Sequence, residues 1–257
     1  MNREATDLAG VRHVSYDTLG STNAEALARA RAGERGPLWI TARTQTAGRG
    51  RRGSTWVSET GNLYATLLLS EPSPPTAAAQ LSFVAALALH DAVAECAPQF
   101  GPLLRLKWPN DLLLGGAKLA GILIEGENEP VFTTVIGIGV NCAMHPAGTP
   151  YPATDLAAAS ALVTPDQVFA ALSAAMLRRL TQWGRGEGFA AIRADWLKRA
   201  AGLGDTIRVR LPEREFSGRF EGLDEAGRLL VDGEGGITAV TAGEVFGLSS
   251  SIPPKVN

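Results

Sequence analysis

The sequence of 257 residues contains only two cysteines and three histidines. Cys96 and Cys142 lie far apart and form no CxxC motif, so no disulfide framework is implied and a reducing cytoplasm is the expected compartment. His13, His90 and His145 stand in no metal-ligand spacing. We interpret all three as surface or packing residues.

The chain also lacks an excess of charge of either sign, because its formal net charge is only -2. Proteins that bind nucleic acid in bulk usually need a basic face, so this balance argues against that function. The first 13 residues carry acids and no apolar core, unlike a signal peptide. We find no apolar stretch long enough to span a membrane. Hydrophobic residues make up 45% and charged residues 19%, which is typical of a soluble, well-packed protein.

The pattern of apolar residues predicts a mixed α+β fold in two parts. Strand-like runs occur at residues 12–17, 38–43, 62–69, 103–108, 118–125 and 131–140, and helical patterns at 21–31, 76–96, 165–183 and 189–201. After Gly202 the runs become short and alternating, at residues 206–211, 215–222, 228–231, 238–240 and 244–248. We therefore predict a catalytic domain over residues 1–201 with a mixed sheet, followed by a small β-barrel domain over residues 202–257.

The most informative segment is the arginine–glycine loop, Gln45–Trp56, with the sequence QTAGRGRRGSTW. Its three glycines let the backbone wrap closely around a ligand, and its three arginines offer planar, permanently charged donors. No acidic residue occurs between Arg43 and Glu59 to neutralise them. Such a loop suits a phosphate or carboxylate ligand.

Other interpretations of this loop have to be weighed. Gly48 to Gly53 matches the GxGxxG pattern of dinucleotide-binding folds, but extended chain follows where that motif needs a helix. A Walker A loop would need Lys at the position of Ser54. An arginine–glycine RNA-binding tail would repeat, and this segment does not. A solvated basic loop without function remains the alternative for the loop taken alone.

A second group of polar residues lies in the segments RLKWPNDL (105–112) and GAKLAGILIE (116–125). Lys118 opens an apolar run, where a partly desolvated ammonium would need an anionic partner such as a substrate carboxylate or phosphate. Asp111 is suited to hold a magnesium ion with one carboxylate. Taken alone, Lys118 could equally end a hairpin in solvent, and Asp111 could simply stabilise a turn.

In combination, these segments resemble the biotin–protein ligase family. The matching pieces are Ser21–Asn23, Gln45–Trp56 with GRGRRG intact, Lys107–Asp111, Lys118–Glu125 and Gly137–Asn141, in the order and at spacings compatible with the family. The resemblance is strong over residues 16–141 and extends by position to the C-terminal part. It implies a catalytic domain of the biotin/lipoate ligase type with a C-terminal SH3-like barrel.

The resemblance also implies a role for each matching residue. The biotin-binding residues would be Ser21, Thr22, Asn23, Gln45, Gly48, Arg49, Gly50, Arg51 and Lys118. The nucleotide-binding residues would be Arg49, Arg51, Arg52, Trp56, Asn110 and Asn141, with Arg51 and Lys118 catalytic and Asp111 the metal ligand. Ser21–Asn23 is, in addition, a helix N-cap signal, whether or not it touches a ligand.

The activity implied by the resemblance is ATP-dependent attachment of biotin to a protein. Biotin and ATP would form biotinyl-5′-AMP with Mg²⁺ as cofactor, and biotin would then pass to a lysine of a biotin carboxyl carrier protein. Some members of the family carry an N-terminal DNA-binding domain, for which the 20 residues before Ser21 are too few. We therefore expect a cytoplasmic ligase without DNA or membrane partners, and a homodimer is compatible with the family.

Three alternatives to this function remain open on sequence grounds. A lipoate–protein ligase shares the fold and the adenylation chemistry, but its glycine-rich loop usually carries fewer arginines. A non-catalytic sensor of biotin or biotinyl-adenylate would bind without transfer, and no output domain is evident. A nucleic-acid-binding module built around the arginine–glycine loop is disfavoured by the net charge of -2.

Overall fold

The fold is built on a large mixed sheet, seen in a computed structural model that describes residues 3–8, 10–129 and 131–247. Its strands are β1 (Arg3–Leu8), β2 (Val11–Leu19), β3 (Leu38–Gln45), β4 (Leu63–Ser70), β5 (Leu104–Lys107), β6 (Asp111–Leu114), β7 (Ala117–Glu127) and β8 (Thr133–Val140). They are arranged in the order β1-β2-β3-β4-β8-β7-β6-β5. Only the β2–β3 pair is parallel among these neighbours. The predicted mixed sheet is confirmed, with β1 and β6 as two strands that sequence reasoning missed.

The described part of the chain contains four α-helices: α1 (Thr22–Arg31), α2 (Leu81–Cys96), α3 (Pro165–Trp183) and α4 (Phe189–Leu197). Helices α1, α2 and α3 pack against the large sheet, and α4 packs against α2 and α3. Helix α3 has the predicted bounds because both of its ends are locally encoded. Thr164 and Gln167 form a capping box at its start, and Gly184 ends it in a left-handed conformation. The predicted helix at 76–96 was wrong at its start, because residues 75–80 form a 3-10 helix before α2.

Helix α2 is the most apolar helix of the chain. Together with the preceding 3-10 turn it gives a segment, Pro75–Cys96, that is long and apolar enough to cross a membrane, with a mean hydropathy of 1.4. From the sequence we expected no apolar stretch long enough to span a membrane. By length and composition that expectation was wrong. In the fold, α2 packs against α3, α4 and the large sheet, and most of its side chains belong to the core.

The C-terminal residues form a second, antiparallel sheet of five strands. These are β9 (Thr206–Arg210), β10 (Glu215–Leu223), β11 (Leu229–Gly233), β12 (Gly236–Val240) and β13 (Glu244–Phe246), in the order β12-β11-β10-β9-β13. Buried and exposed side chains alternate along β9, as a strand with one solvated face requires. The predicted α+β fold class is confirmed. Leu248, the last residue of the predicted fifth run, lies outside the described residues.

The two sheets share one apolar core. A single cluster of buried side chains extends from α2 and the large sheet to Val209, Phe220 and Leu229 of the small sheet. The Trp108 indole donates to the carbonyl of Gly227 at 3.3 Å, and a side chain at Gly227 would collide with the Phe83 ring at 2.6 Å. A domain boundary at residues 201 and 202 remains a prediction, but the small sheet buries its apolar face against the large part of the chain.

Candidate functional site

A cavity of about 610 Å³ opens on the α1 side of the large sheet, within the size range of small-molecule sites. Its floor contains Gly121 on β7 and Gly137 and Gly139 on β8. Side chains alternate along strands, so Ile122, which follows Gly121, and Ile138, between Gly137 and Gly139, point to the opposite face and join the core. The glycines let other side chains approach the sheet closely, because a side chain at Gly137 would collide with Asn23 and one at Gly139 would collide with the Trp56 ring.

One end of the cavity, which we call the hydroxyl–amide end, is formed by the start of α1 together with β3 and β4. Ser21 caps α1 and accepts from the Ala24 amide at 3.5 Å, so the predicted N-cap role is present. The Gln45 Oε1 accepts from the backbone N–H of Thr22 at 2.8 Å and from its hydroxyl at 3.1 Å. The Gln45 Nε2 donates to Ser58 at 2.9 Å. These contacts fix which end of the Gln45 amide faces the helix.

Thr66 connects the side chains of this end from below. Its hydroxyl is fully buried on β4 and lies 2.8 Å from the Thr22 hydroxyl and 2.7 Å from Asn23 Oδ1. The Asn23 Nδ2 donates to Glu125 Oε2 at 2.8 Å and to the Leu123 carbonyl at 3.3 Å. The groups that line the cavity at the hydroxyl–amide end are therefore neutral hydroxyls and amides in one bonded network, with the Glu125 carboxylate behind them.

The arginine–glycine loop leaves β3 and folds back on itself beside the cavity. The Trp56 amide donates to Gly48 at 3.0 Å, and the Gly50 amide donates to Ser54 at 2.7 Å. At its tip Arg52 adopts a left-handed backbone with φ of 55°. Gly48 is buried, and a side chain there would collide with the Trp56 carbonyl and the Ser58 hydroxyl. The glycines thus serve the tight return of the chain, which places the arginines at the cavity edge.

Trp56 at the end of the loop turns its ring onto the glycine floor. A methyl group at Gly139 would lie 2.5 Å from the ring, and one at Gly121 would lie 3.0 Å from it. The indole N–H is buried and has no hydrogen-bond partner in the described part of the chain. A buried donor without a partner is costly, so this N–H is a polar group whose hydrogen bond is not made within the described residues.

The opposite end, which we call the cationic end, is centred on Lys118. Its ammonium lies 2.8 Å from Asp111 Oδ1, and both side chains are about six-sevenths buried, with exposures of 15% and 14%. The same ammonium lies 5.4 Å from the ring centres of Trp56 and Tyr151. Asp111 begins β6 and pairs across to β7, which explains how the sheet brings the two charges together. This pair keeps the ammonium in place at the cavity wall.

Arg51 extends the cationic end toward the small sheet. Its guanidinium donates to Asn110 Oδ1 at 3.3 Å and to the Gly243 carbonyl at 3.5 Å. Burial lowers the pKa of Arg51, and the neighbouring Arg52 lowers it further. An arginine remains charged despite such a shift, so Arg51 presents a partly desolvated cation that an anionic ligand would stabilise.

Lys107 is a cation of this end that sequence reasoning did not assign. Its ammonium lies 5.9 Å from the ring centre of Tyr151 and 5.7 Å from that of Phe246, and no ion pair holds it among the described residues. Burial lowers the pKa of Lys107, and the nearby Lys118 acts in the same direction. Phe246 comes from β13, so the small sheet forms part of this wall.

The structure brings most of the predicted site residues to this one cavity. The wall includes Ser21, Thr22, Asn23, Gln45, Arg49, Gly50, Arg51, Arg52, Trp56, Asn110, Asp111 and Lys118. Gly48 and Asn141 do not line it. Asn141 is buried and donates to the Thr154 carbonyl at 3.0 Å, so it holds the loop that follows Tyr151.

The charge of the cavity wall is strongly unbalanced. Its cations are Arg49, Arg51, Arg52, Lys107, Lys118 and Arg210, and its carboxylates are Asp111 and Glu244. Arg210, Tyr151 and Phe246 escaped sequence reasoning because each lies far along the chain from the loop. An excess of partly desolvated positive charge is what a polyphosphate ligand requires.

Comparison with known proteins agrees with this arrangement. Residues 21–141 match the model of the biotin/lipoate A/B protein ligase family, and residues 202–247 match that of the biotin protein ligase C-terminal domain. A biotin--[acetyl-CoA-carboxylase] ligase of Paracoccus denitrificans is 45% identical over 88% of this chain and 96% of its own length. The bifunctional ligase/repressor BirA of Bacillus subtilis is 32% identical over 93% of this chain and 75% of its own length.

Solved structures show the same likeness. The biotin protein ligase of Aquifex aeolicus in complex with biotin and ATP has a TM-score of 0.77 and 25% identity, over 91% of this chain and 97% of that chain. The ligase of Leishmania major in complex with biotinyl-5-AMP has a TM-score of 0.64 and 26% identity, over 89% and 98%. This chain belongs to the biotin protein ligase family.

Proposed function

We propose that this protein activates biotin with ATP to biotinyl-5′-AMP and transfers the biotinyl group to a lysine of a biotin carboxyl carrier protein. The observation that carries the proposal is the division of one cavity into a neutral hydrogen-bonding end and a cationic end. A neutral ureido ring needs fixed donors and acceptors, whereas ATP and a carboxylate need positive charge. Both requirements are met within one site.

The hydroxyl–amide end would bind the ureido ring through Ser21, Thr22, Asn23 and Gln45. The biotin carboxylate would then extend toward Lys118. This ammonium, held by Asp111, would orient the carboxylate oxygen that attacks the α-phosphorus of ATP. The P–O bond to pyrophosphate breaks as the new bond forms. Arg51 would stabilise the charge on the phosphates.

The transfer half-reaction needs no nucleophile from the enzyme. The amine of the acceptor lysine attacks the acyl carbon of the mixed anhydride, AMP leaves with the bonding electrons, and the amine loses a proton to solvent. The arginine–glycine loop would keep water from the anhydride until the acceptor arrives. In this role the glycines would allow the loop to close, and the arginines would contact the bound intermediate.

A magnesium ion would fit the cationic end as a partner of the ATP phosphates. The described residues contain no group of three acidic, histidine or cysteine ligands, but magnesium bound to ATP commonly uses one or two protein carboxylates. Asp111 would supply that carboxylate beside Asn110. The ion would neutralise phosphate charge and favour departure of pyrophosphate.

The direct test is ATP–pyrophosphate exchange by the purified protein with magnesium, comparing biotin, lipoate and no acid. We expect exchange that requires biotin, followed by labelling of a carrier-protein lysine. Exchange with lipoate instead would assign the protein to the lipoate branch of the fold. Binding of biotin without exchange would indicate a sensor.

A further inference from the structure

Glu125 joins three parts of the site that are distant in sequence. It lies near the end of β7, the strand that also carries Lys118 and Gly121. Its Oε2 accepts from Asn23 Nδ2 at 2.8 Å and from Arg49 Nη2 at 3.0 Å. One carboxylate oxygen therefore connects the start of α1, the arginine–glycine loop and the cavity floor.

We propose that Glu125 is a positioning residue that holds the arginine–glycine loop over the cavity through Arg49. The inference rests on the proposed function, and it names the residue that sets how long the bound acid and its adenylate are retained. Glu125 does not line the cavity, so it acts through Arg49 and Asn23.

The contacts of Arg49 explain why one ion pair matters here. The Arg49 side chain is 45% exposed, and within the described residues its guanidinium forms an ion pair with Glu125. An isolated surface ion pair contributes little. Glu125, however, is only 26% exposed and is held in place by the buried Asn23, so Arg49 meets a pre-oriented acceptor. The ion pair then fixes the loop at little further cost in side-chain conformational entropy of Glu125, because Asn23 already restricts that side chain.

Arg49 and Arg51 therefore have different partners in the ligand-free protein. Arg49 is neutralised by Glu125, whereas Arg51 contacts the neutral oxygens of Asn110 and Gly243. Arg49 holds the loop, whereas Arg51 forms no ion pair within the described residues and remains available to a phosphate, with Asp111 and Glu244 acting on it only at longer range. Removing Glu125 should therefore change loop closure without removing a ligand contact.

The test compares Glu125→Gln with Glu127→Gln. Gln keeps the shape of Glu125 and can still accept from Asn23, so the change isolates the charged contact with Arg49. Glu127 lies two residues on along the same strand and pairs with Arg31 at the other end of α1, which makes it a matched control. Each variant is assayed for the KM of biotin and kcat in pyrophosphate exchange, and for release of biotinyl-adenylate.

We expect E125Q to raise the KM for biotin about fivefold with little change in kcat, the factor that corresponds to loss of about 1 kcal/mol. Adenylate release should accelerate by a similar factor, and E127Q should match the parent. Digestion of the ligand-free proteins with trypsin gives a readout without catalysis. Cleavage after Arg49, Arg51 or Arg52 should be faster in E125Q than in E127Q.

A double variant separates loop positioning from support of Asn23. If Glu125 acts through Arg49, adding E125Q to Arg49→Gln should raise the KM no further. Additive effects, equal behaviour of E125Q and E127Q, or tighter biotin binding by E125Q would each overturn the proposal. Failure of the parent protein to exchange pyrophosphate would instead refute the proposed function, while the trypsin comparison would still decide the role of Glu125 in the loop.

Discussion

The two ends of the cavity differ in how their polar groups are satisfied. At the hydroxyl–amide end, Thr22, Gln45 and Thr66 bond to one another and are fixed before any ligand binds. At the cationic end, Lys107 and Arg51 are partly desolvated and form no ion pair with a carboxylate in the part of the chain that the structure describes. Selectivity for a neutral ring requires the first arrangement, because donors and acceptors in fixed positions accept only a ring whose polar atoms match them. Binding of a polyphosphate requires the second arrangement, because cations without an ion-pair partner attract the negatively charged phosphate oxygens.

The largest effect should come from Lys118, at the centre of the cationic end. Lys118→Met removes the ammonium that would face both carboxylate and phosphate, and it leaves Asp111 without its ion-pair partner. We expect pyrophosphate exchange to fall by about 10²–10³-fold, the range for loss of one charge-stabilising group. Lys198→Met, at an exposed lysine paired with Asp195, serves as the control. An exchange rate within threefold of the parent would remove Lys118 from the mechanism.

A smaller effect should follow from disrupting the hydroxyl–amide end at its centre. Thr66→Val keeps the shape of the side chain but removes the hydroxyl between Thr22 and Asn23. The penalty for unsatisfied buried polar groups, about 1–3 kcal/mol, predicts weaker biotin binding and a lower melting temperature. Calorimetry with biotin and thermal unfolding provide the measurements.

The matched substitution for Thr66→Val is Thr134→Val on β8. Thr134 is equally buried, but its hydroxyl has no hydrogen-bond partner in the described residues. Its removal should leave biotin affinity unchanged and should not lower stability. If both variants lost the same affinity, the network around Thr66 would have no special role.

The subtlest effect distinguishes the two ends by their response to pH. Burial lowers the pKa of the Lys107 ammonium, and a nearby phosphate would raise it again. ATP binding then takes up a proton, so affinity for ATP should weaken as pH rises through the lowered pKa. Lys107→Arg keeps the charge at all these pH values and should flatten the dependence.

The measurement for Lys107 is the KM of each substrate as a function of pH. In the parent protein the KM for ATP should rise toward alkaline pH by a larger factor than the KM for biotin. Identical profiles for parent and Lys107→Arg would show that another group titrates.

At the hydroxyl–amide end, the start of α1 could be predicted from a local signal, whereas Gln45 was assigned only through the family resemblance. The N-cap at Ser21 and the bounds of α3 agree with the prediction, whereas the predicted strand at 38–43 continues to Gln45 in the structure. The four-residue strand β6 was missed, since a strand so short carries too little periodicity to be distinguished from a turn. The bounds of α2 failed for a related reason, because the residues before Leu81 suit a 3-10 helix as well as an α-helix.

Only some residues of the cationic end could be assigned from the sequence. Arg51 and Lys118 were recognised from their motifs, whereas Lys107, Tyr151 and Phe246 meet only through tertiary packing. Thr66 was equally hidden, because a threonine within an apolar strand gives no sign that its hydroxyl organises two helix residues. Residues whose role depends on partners more than 40 positions away cannot be assigned from local pattern.

The participation of β13 in the cavity wall has a consequence for assembly. A ligand that touches both Arg51 and the segment around Phe246 binds only when the small sheet is docked on the rest of the chain. By mass action such a ligand must strengthen the docking in return. If the chain were divided in the segment between α4 and β9, the two fragments would associate more tightly with ATP and biotin present than without them. The ligands in the cavity would then stabilise the complex of the two fragments. The affinity of one fragment for the other would therefore measure whether the cavity is occupied.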